Sequence, residues 1–202
     1  MWWARLLNVI SGLLAGGVAA STNSYESIST QTISSNTASV TFSSIPSTYK
    51  HLQIRGFLQS NRATYPSTDL FIQLGNGSAD TGANYSTHRL AGNGATASSL
   101  APSTPNGTYI NFYDTVSSTS APNIFAGVVI DVLDYADTNK YKTVRSLGGV
   151  DFNGAVATVY GNVALQSGSW RSTSAVNTIK FTVYGGDSFT QYSSFALYGI
   201  KG

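Results

Sequence analysis

From about residue 25 onward, apolar side chains recur at every second position. Val40 and Phe42 alternate with Thr41 and Ser43 until Ile45-Pro46 ends the run. Leu52, Ile54 and Leu58 share one face, with Gln53, Arg55 and Gln59 opposite. Leu70, Ile72 and Leu74 follow in "DLFIQLG", Ile110 and Phe112 in "TYINFYD", and Ile179, Phe181 and Val183 in "NTIKFTVYGG". "TVRSLGGV", "NVALQSG" and "SSFALYGIK" add further candidates. A repeat of two is the period of a pleated strand, whose side chains leave alternate faces. "NIFAGVVIDVLDY" is apolar in both phases, which predicts a central strand covered on both sides. No amphipathic helix of three turns is visible after residue 25, so a parallel α/β fold would lack its crossovers. The expectation is an all-β chain, an antiparallel β-sandwich of jelly-roll type spanning 25–202. Turn-rich pieces such as "GNGSADTGANYS" and "SLAPSTPNGT" predict a long loop from about 75 to 108.

The opening segment, "MWWARLLNVISGLLAGGVAAST", follows a different rule. Its outline is that of an export signal, with an apolar middle and small residues at its end. The paired tryptophans, however, precede the only charge, Arg5, whereas a signal places its charge first. Arg5, Asn8, Ser11 and three glycines interrupt a run barely long enough to span a bilayer, which argues against a membrane span. Trp3, Leu7, Ile10 and Leu14 recur at helical spacing, and Trp2, Leu6, Val9 and Leu13 repeat it one residue earlier. Together the two rows make one wide apolar face on a helix. Residues 1–24 are therefore expected to form a hydrophobic anchor, helical or an extended arm, sheltered in protein. Each such side chain is worth roughly 1.5–3 kcal/mol when buried.

Composition narrows the chemistry. Charged residues are 10% of the chain, against about 25% in an average soluble protein. The net charge is +2 and the basic residues are scattered, with Lys140, Lys142 and Arg145 the only local cluster, so no nucleic-acid face is indicated. A polar surface with few charges suits a subunit packed among copies of itself, since little repulsion keeps copies apart. There is no cysteine, which excludes disulfides and Cys-based zinc sites.

No catalytic constellation stands out, and the expectation is a protein that is not an enzyme and carries no cofactor. The two histidines, His51 and His88, read as surface or hydrogen-bonded residues. No GxSxG elbow and no phosphate-binding glycine loop occurs. Glu26 is the sole glutamate, so a carboxylate pair would need aspartates. In "DVLDYADTNK", Asp131 reads as a cap at a strand end. Asp134, Asp137 and Asn139 have the oxygen ligands for a weak calcium candidate, although turn chemistry explains them as well. Trp170 and Arg171, in "SGSWRS", are candidates for a ligand or subunit contact, because an exposed Trp stacks on sugars or anchors an interface, and a partly buried turn residue is the plain alternative.

The stretches "SYESISTQTISSNTASVTFSSIPSTYKHLQIRG", "GANYSTHRLAGNG", "DYADTNKYKTVRSLGGVD" and the ending "SSFALYGIKG" resemble a group of small virion structural proteins of tailed bacteriophages. The resemblance covers most of residues 24–202. It implies a virion component without enzymatic activity: a β-rich capsid decoration or cement protein, or a tail, neck or fibre appendage that binds a host glycan or receptor. Its partners would be copies of itself, a trimer being favoured, and the major capsid protein or another virion protein. The hydrophobic segment would be its attachment module. A secreted hydrolase or lectin with a cleaved signal is the remaining alternative.

Overall fold

The computed structural model describes residues 24–119, 122–152 and 161–202. The anchor residues Trp2, Trp3, Leu6, Leu7, Val9, Ile10, Leu13 and Leu14 lie outside them. Among the described residues the regular structure is strand, apart from one 3-10 turn at Tyr184–Gly186.

The strands are β1 (Tyr25–Thr32), β2 (Ser39–Phe42), β3 (His51–Ser60), β4 (Ser67–Asn76), β5 (Ser78–Ala79), β6 (Tyr85–Gly92) and β7 (Ala97–Gly107). They continue with β8 (Ile110–Ser117), β9 (Ala126–Leu133), β10 (Lys142–Asp151), β11 (Gly161–Trp170), β12 (Thr178–Val183) and β13 (Ser194–Ile200). All belong to one large mixed sheet of 13 strands. One run is β1-β13-β3-β9-β10-β11-β6-β7, and the other is β2-β12-β4-β8 with β5 beside β4. Neighbours within each run are antiparallel. The runs join at the end of β3, where Gln59 and Ser60 pair in parallel with Val116 and Ser117 of β8. That short parallel seam makes the sheet mixed where a purely antiparallel one was expected.

The period-two pattern explains the core. Leu52, Ile54 and Leu58 of β3, Ile130 and Val132 of β9, Val144 of β10 and Leu197 of β13 point inward from the first run. Leu70, Ile72 and Leu74 of β4, Ile110 and Phe112 of β8, and Ile179 and Phe181 of β12 point inward from the second. They merge into one apolar cluster. Phe181, Phe195 and Phe189 form a chain of ring contacts at 4.9 and 5.1 Å between centroids. Polar links also tie the runs together. The Tyr113 amide donates to the Gln166 side chain at 2.7 Å, and the Leu74 amide donates to the Tyr85 hydroxyl at 3.1 Å.

Two expectations are corrected. The segment expected as a loop from 75 to 108 instead contains β5, β6 and β7, with β6 paired to β11 in unbroken register from Tyr85–Trp170 to Gly92–Val163. Its alternation was hidden because its outward residues include leucines as well as polar groups. Strand β9, expected to be covered on both faces, has Val128, Ile130 and Val132 buried but Val129 exposed.

The two runs pack tightly at Gly168 of β11, where a Cβ would lie 2.5 Å from Cγ2 of Ile110. Gly168→Val should therefore cost about 1–3 kcal/mol through overpacking, read from urea denaturation. Combined with Ile110→Ala, the total loss should fall short of the sum of the two single losses, because the smaller partner makes room.

Candidate functional site

The outer face of the first run carries the feature that a solitary domain has least reason to keep. Register places Val129 beside Leu147, Leu147 beside Leu165, and Leu165 beside Leu90. This is one straight row across β9, β10, β11 and β6. All four point outward, at 38%, 57%, 58% and 57% exposure. Val163 and Leu100 extend the patch and are also exposed. Cross-strand aliphatic neighbours of this kind form a continuous surface. Large contiguous apolar patches are uncommon on the surfaces of monomeric proteins. A groove of about 710 Å³ runs along it, lined by His88, Leu90, Leu100, Arg145, Leu165 and Ser167.

The flank of the row is polar but charge-neutral. Arg145 Nε donates to Asp131 Oδ2 at 2.9 Å, and Gln53 Nε2 donates to Asp131 Oδ1 at 2.9 Å. Asp131 therefore does not cap a strand end; it sits within β9, where the register sets it opposite Arg145. His88 is exposed beside Ser167 in the same flanking row. Strand β7 ends the run, and its sequence includes Pro102 and Pro105, which lack the N–H needed to extend a ladder.

Trp170 is not an exposed contact residue. It is 3% exposed, and its indole N–H donates to Asp80 Oδ2 at 2.7 Å. Burial works against the Asp80 carboxylate, but hydrogen bonds from Trp170 and Asn84 outweigh it and hold the group below its usual pKa. The ring belongs to the core because Trp170 falls on the inward phase of β11, a parity hidden by its turn-like neighbours. Arg171 donates to the Ala83 carbonyl at 2.7 Å and to the Asn106 side chain at 2.8 Å, fastening the loop before β6 to the end of β7.

Asp134, Asp137 and Asn139 do come together, around lysine. Lys140 Nζ lies 2.6 Å from Asp134 and 3.4 Å from Asp137, and Lys50 reaches Asp134 at 3.0 Å. Asp137 also accepts the Asn139 amide at 2.8 Å, the turn chemistry anticipated for this stretch. Among the described residues no group of three or more His, Cys, Asp or Glu side chains could hold a metal ion. His51 Nδ1 accepts the Asp134 amide at 3.0 Å. The basic cluster is dispersed: Arg145 pairs on the outer face, while Lys142 is fully buried. Its ammonium donates to the carbonyls of Asp137, Lys140 and Thr173 at 2.6, 2.9 and 3.3 Å, and burial lowers its pKa.

No family model matches the chain, and no curated protein matches it. Among solved structures, a fructofuranosidase from Schwanniomyces occidentalis complexed with fructosylnystose is 7% identical, with a TM-score of 0.18. That comparison covers 89% of this chain and 35% of the other, so this chain spans about a third of that protein. So low a score carries no argument about fold or activity. Among the described residues no helix is long and apolar enough to cross a membrane.

Hydrogen bonds from Lys140 and Lys50 lower the pKa of Asp134 to about 2 from the usual 3.8. A depressed carboxylate adds stability above its unfolded pKa and loses it as pH falls toward the folded value. The stability difference between wild type and Asp134→Asn should therefore be constant above about pH 5 and shrink steadily toward about pH 2, followed as urea midpoints at each pH.

Proposed function

We propose that this chain is a structural subunit of a tailed-bacteriophage virion, a capsid decoration or cement protein with no enzymatic role and no cofactor. The observation that carries the reading is the outward row Val129–Leu147–Leu165–Leu90. Its occupant is a second copy of the chain. Three features favour a copy over an unlike partner. The net charge is only +2, so copies do not repel one another strongly. The row's polar flank is already paired within the chain. The prolines of β7 disfavour ladder extension, so association proceeds through the face. A closed trimer, the arrangement expected from the resemblance, satisfies such a face without leaving copies unpaired.

Strand order supports a jelly roll as the underlying fold. Setting aside β5, β6, β7, β10 and β11, the sheet reduces to β1-β13-β3-β9 and β2-β12-β4-β8. The pairs β1–β13, β2–β12, β3–β9 and β4–β8 are the successive rungs of one long antiparallel ribbon, first strand with last and so inward. Rolling that ribbon brings β13 beside β3 and β12 beside β4, the order of a jelly roll. The remaining strands widen one sheet by β10, β11, β6 and β7, and the leucine row lies mostly on this extension.

In this reading the segment 1–24 attaches the subunit to the major capsid protein or another virion protein, and the outer face joins copies. The function is mechanical: each added contact stabilises the assembled particle relative to its free parts.

Leu147→Glu with Leu165→Glu should leave the fold intact, because both side chains are exposed. Losing two buried leucines at about 1.5–3 kcal/mol each should weaken self-association by roughly 10²–10⁴-fold, measured by sedimentation equilibrium. Deleting residues 2–14 should abolish binding to the particle in a reconstitution assay while the body stays folded. Unchanged assembly of the double variant would overturn the role of the face, and unchanged particle binding by the truncated chain would overturn the anchor.

A further inference from the structure

A second surface feature takes no part in that assembly. On β6, Arg89 points opposite to His88 and Leu90, away from the leucine row and toward β4 and β8. There its guanidinium lies 4.7 Å from the ring centre of Tyr113 and 3.4 Å from Asp69 Oδ1. Arg62, which follows β3, lies 4.7 Å from the ring centre of Tyr184 and 5.2 Å from that of Tyr65, with Asp187 at 3.4 Å. Tyr184 is fixed from below by Phe71, which meets it edge-on at 5.8 Å and stacks on Tyr109 at 3.7 Å. It opens a tight turn through Gly185 and Gly186, whose φ angles of 76° and 78° suit glycine. A cleft of about 490 Å³ opens beside them, lined by Arg62, Tyr65, Thr68, Asp69, Tyr113 and Tyr184.

The chemistry of the lining selects a ligand class. Tyr65 and Tyr184 are 59% and 46% exposed, so flat apolar ring surface is available at the mouth. Beside it stand planar groups that bond in pairs, the Asp69 carboxylate and the Arg62 guanidinium. A pyranose presents the complementary surfaces: one face of C–H bonds and a rim of hydroxyls that both donate and accept. Each arginine already has an aspartate partner, so the cleft is balanced in charge and does not favour an anion. Arg62 Nε and Thr68 Oγ1 are buried at its wall with no hydrogen-bond partner, an arrangement that native structures rarely keep without a reason. The volume falls within the range of small-ligand sites.

We propose that this cleft binds a neutral saccharide, with Tyr65 and Tyr184 as its stacking platform and Asp69 and Arg62 as its hydroxyl partners. The site shares no side chain with the outer leucine row, so it stands or falls separately from the assembly reading.

Saturation-transfer difference NMR on the full chain tests it, with glucose, galactose, mannose and N-acetylglucosamine as probes and sialic acid as the anionic comparison. At least one neutral sugar should bind with a Kd of about 1 mM or tighter. Tyr65→Ala should weaken it at least about fivefold and Asp69→Asn at least about tenfold, from lost stacking and a lost charged acceptor. Tyr141→Ala, exposed outside the cleft, should leave it unchanged. Tyr65 is exposed, so its removal does not threaten folding, and circular dichroism with a melting curve checks each variant. Transfer to none of the neutral sugars, transfer to sialic acid alone, or binding unaffected by both cleft variants would overturn the proposal. Sedimentation of the same samples separates this result from assembly: a chain that self-associates but binds no neutral sugar loses only the cleft.

Discussion

The fold turns on the two residues at the end of β3. Upstream, β3 is hydrogen-bonded between β13 and β9; at Gln59 and Ser60 it passes to the other run by pairing with β8. A strand that changes neighbours at a buried point leaves backbone and side-chain polar groups without regular partners, and such groups are costly unless satisfied. Here they are satisfied locally. Gln59 N–H donates to the Ser193 hydroxyl, which donates back to the Gln59 carbonyl. The Gln59 side chain donates to the Ile124 carbonyl and accepts from the Thr190 hydroxyl at 2.8 Å. Ser60 donates to the Val116 carbonyl, and Phe189 bridges both Ser60 and Thr37. This polar knot lets one strand belong to both runs, and so lets a single core lie between them.

With the core enclosed, the two surfaces of the first run diverge in character. Inward positions follow the ordinary rule of burying aliphatic side chains. Several outward positions on β9, β10, β11 and β6 are aliphatic too, and among the described residues they stay exposed. A strand apolar in both phases normally signals burial on both faces. Under the proposed assembly, another molecule would supply the second cover for the exposed Val129 of β9.

The few charges are spent on local fastening. Lys140 and Lys50 balance Asp134, Arg145 balances Asp131, and Lys142 gathers three carbonyls in the interior. The half-buried Asp69 follows the same rule: desolvation raises its pKa, opposed by Asn111 and Arg89. With most of the described cations serving a nearby acceptor and a net charge of only +2, the surface presents little net field.

The sequence by itself determined that the chain is built of strands, where most of them lie, and which residues of Leu52–Leu58, Leu70–Leu74 and Ile179–Val183 face inward, because side-chain direction alternates along a strand whatever its neighbours are. It did not reveal β1, the strands between 78 and 107, or the burial of Trp170, where turn-rich composition masked the alternation. Nor did it reveal either candidate site. The leucine row joins residues from β9, β10, β11 and β6, and the cleft joins Arg62, Asp69, Tyr113 and Tyr184, residues that become neighbours only once strands are paired. Register and strand order decide which side chains meet, and both arise from long-range hydrogen bonding that no local pattern encodes.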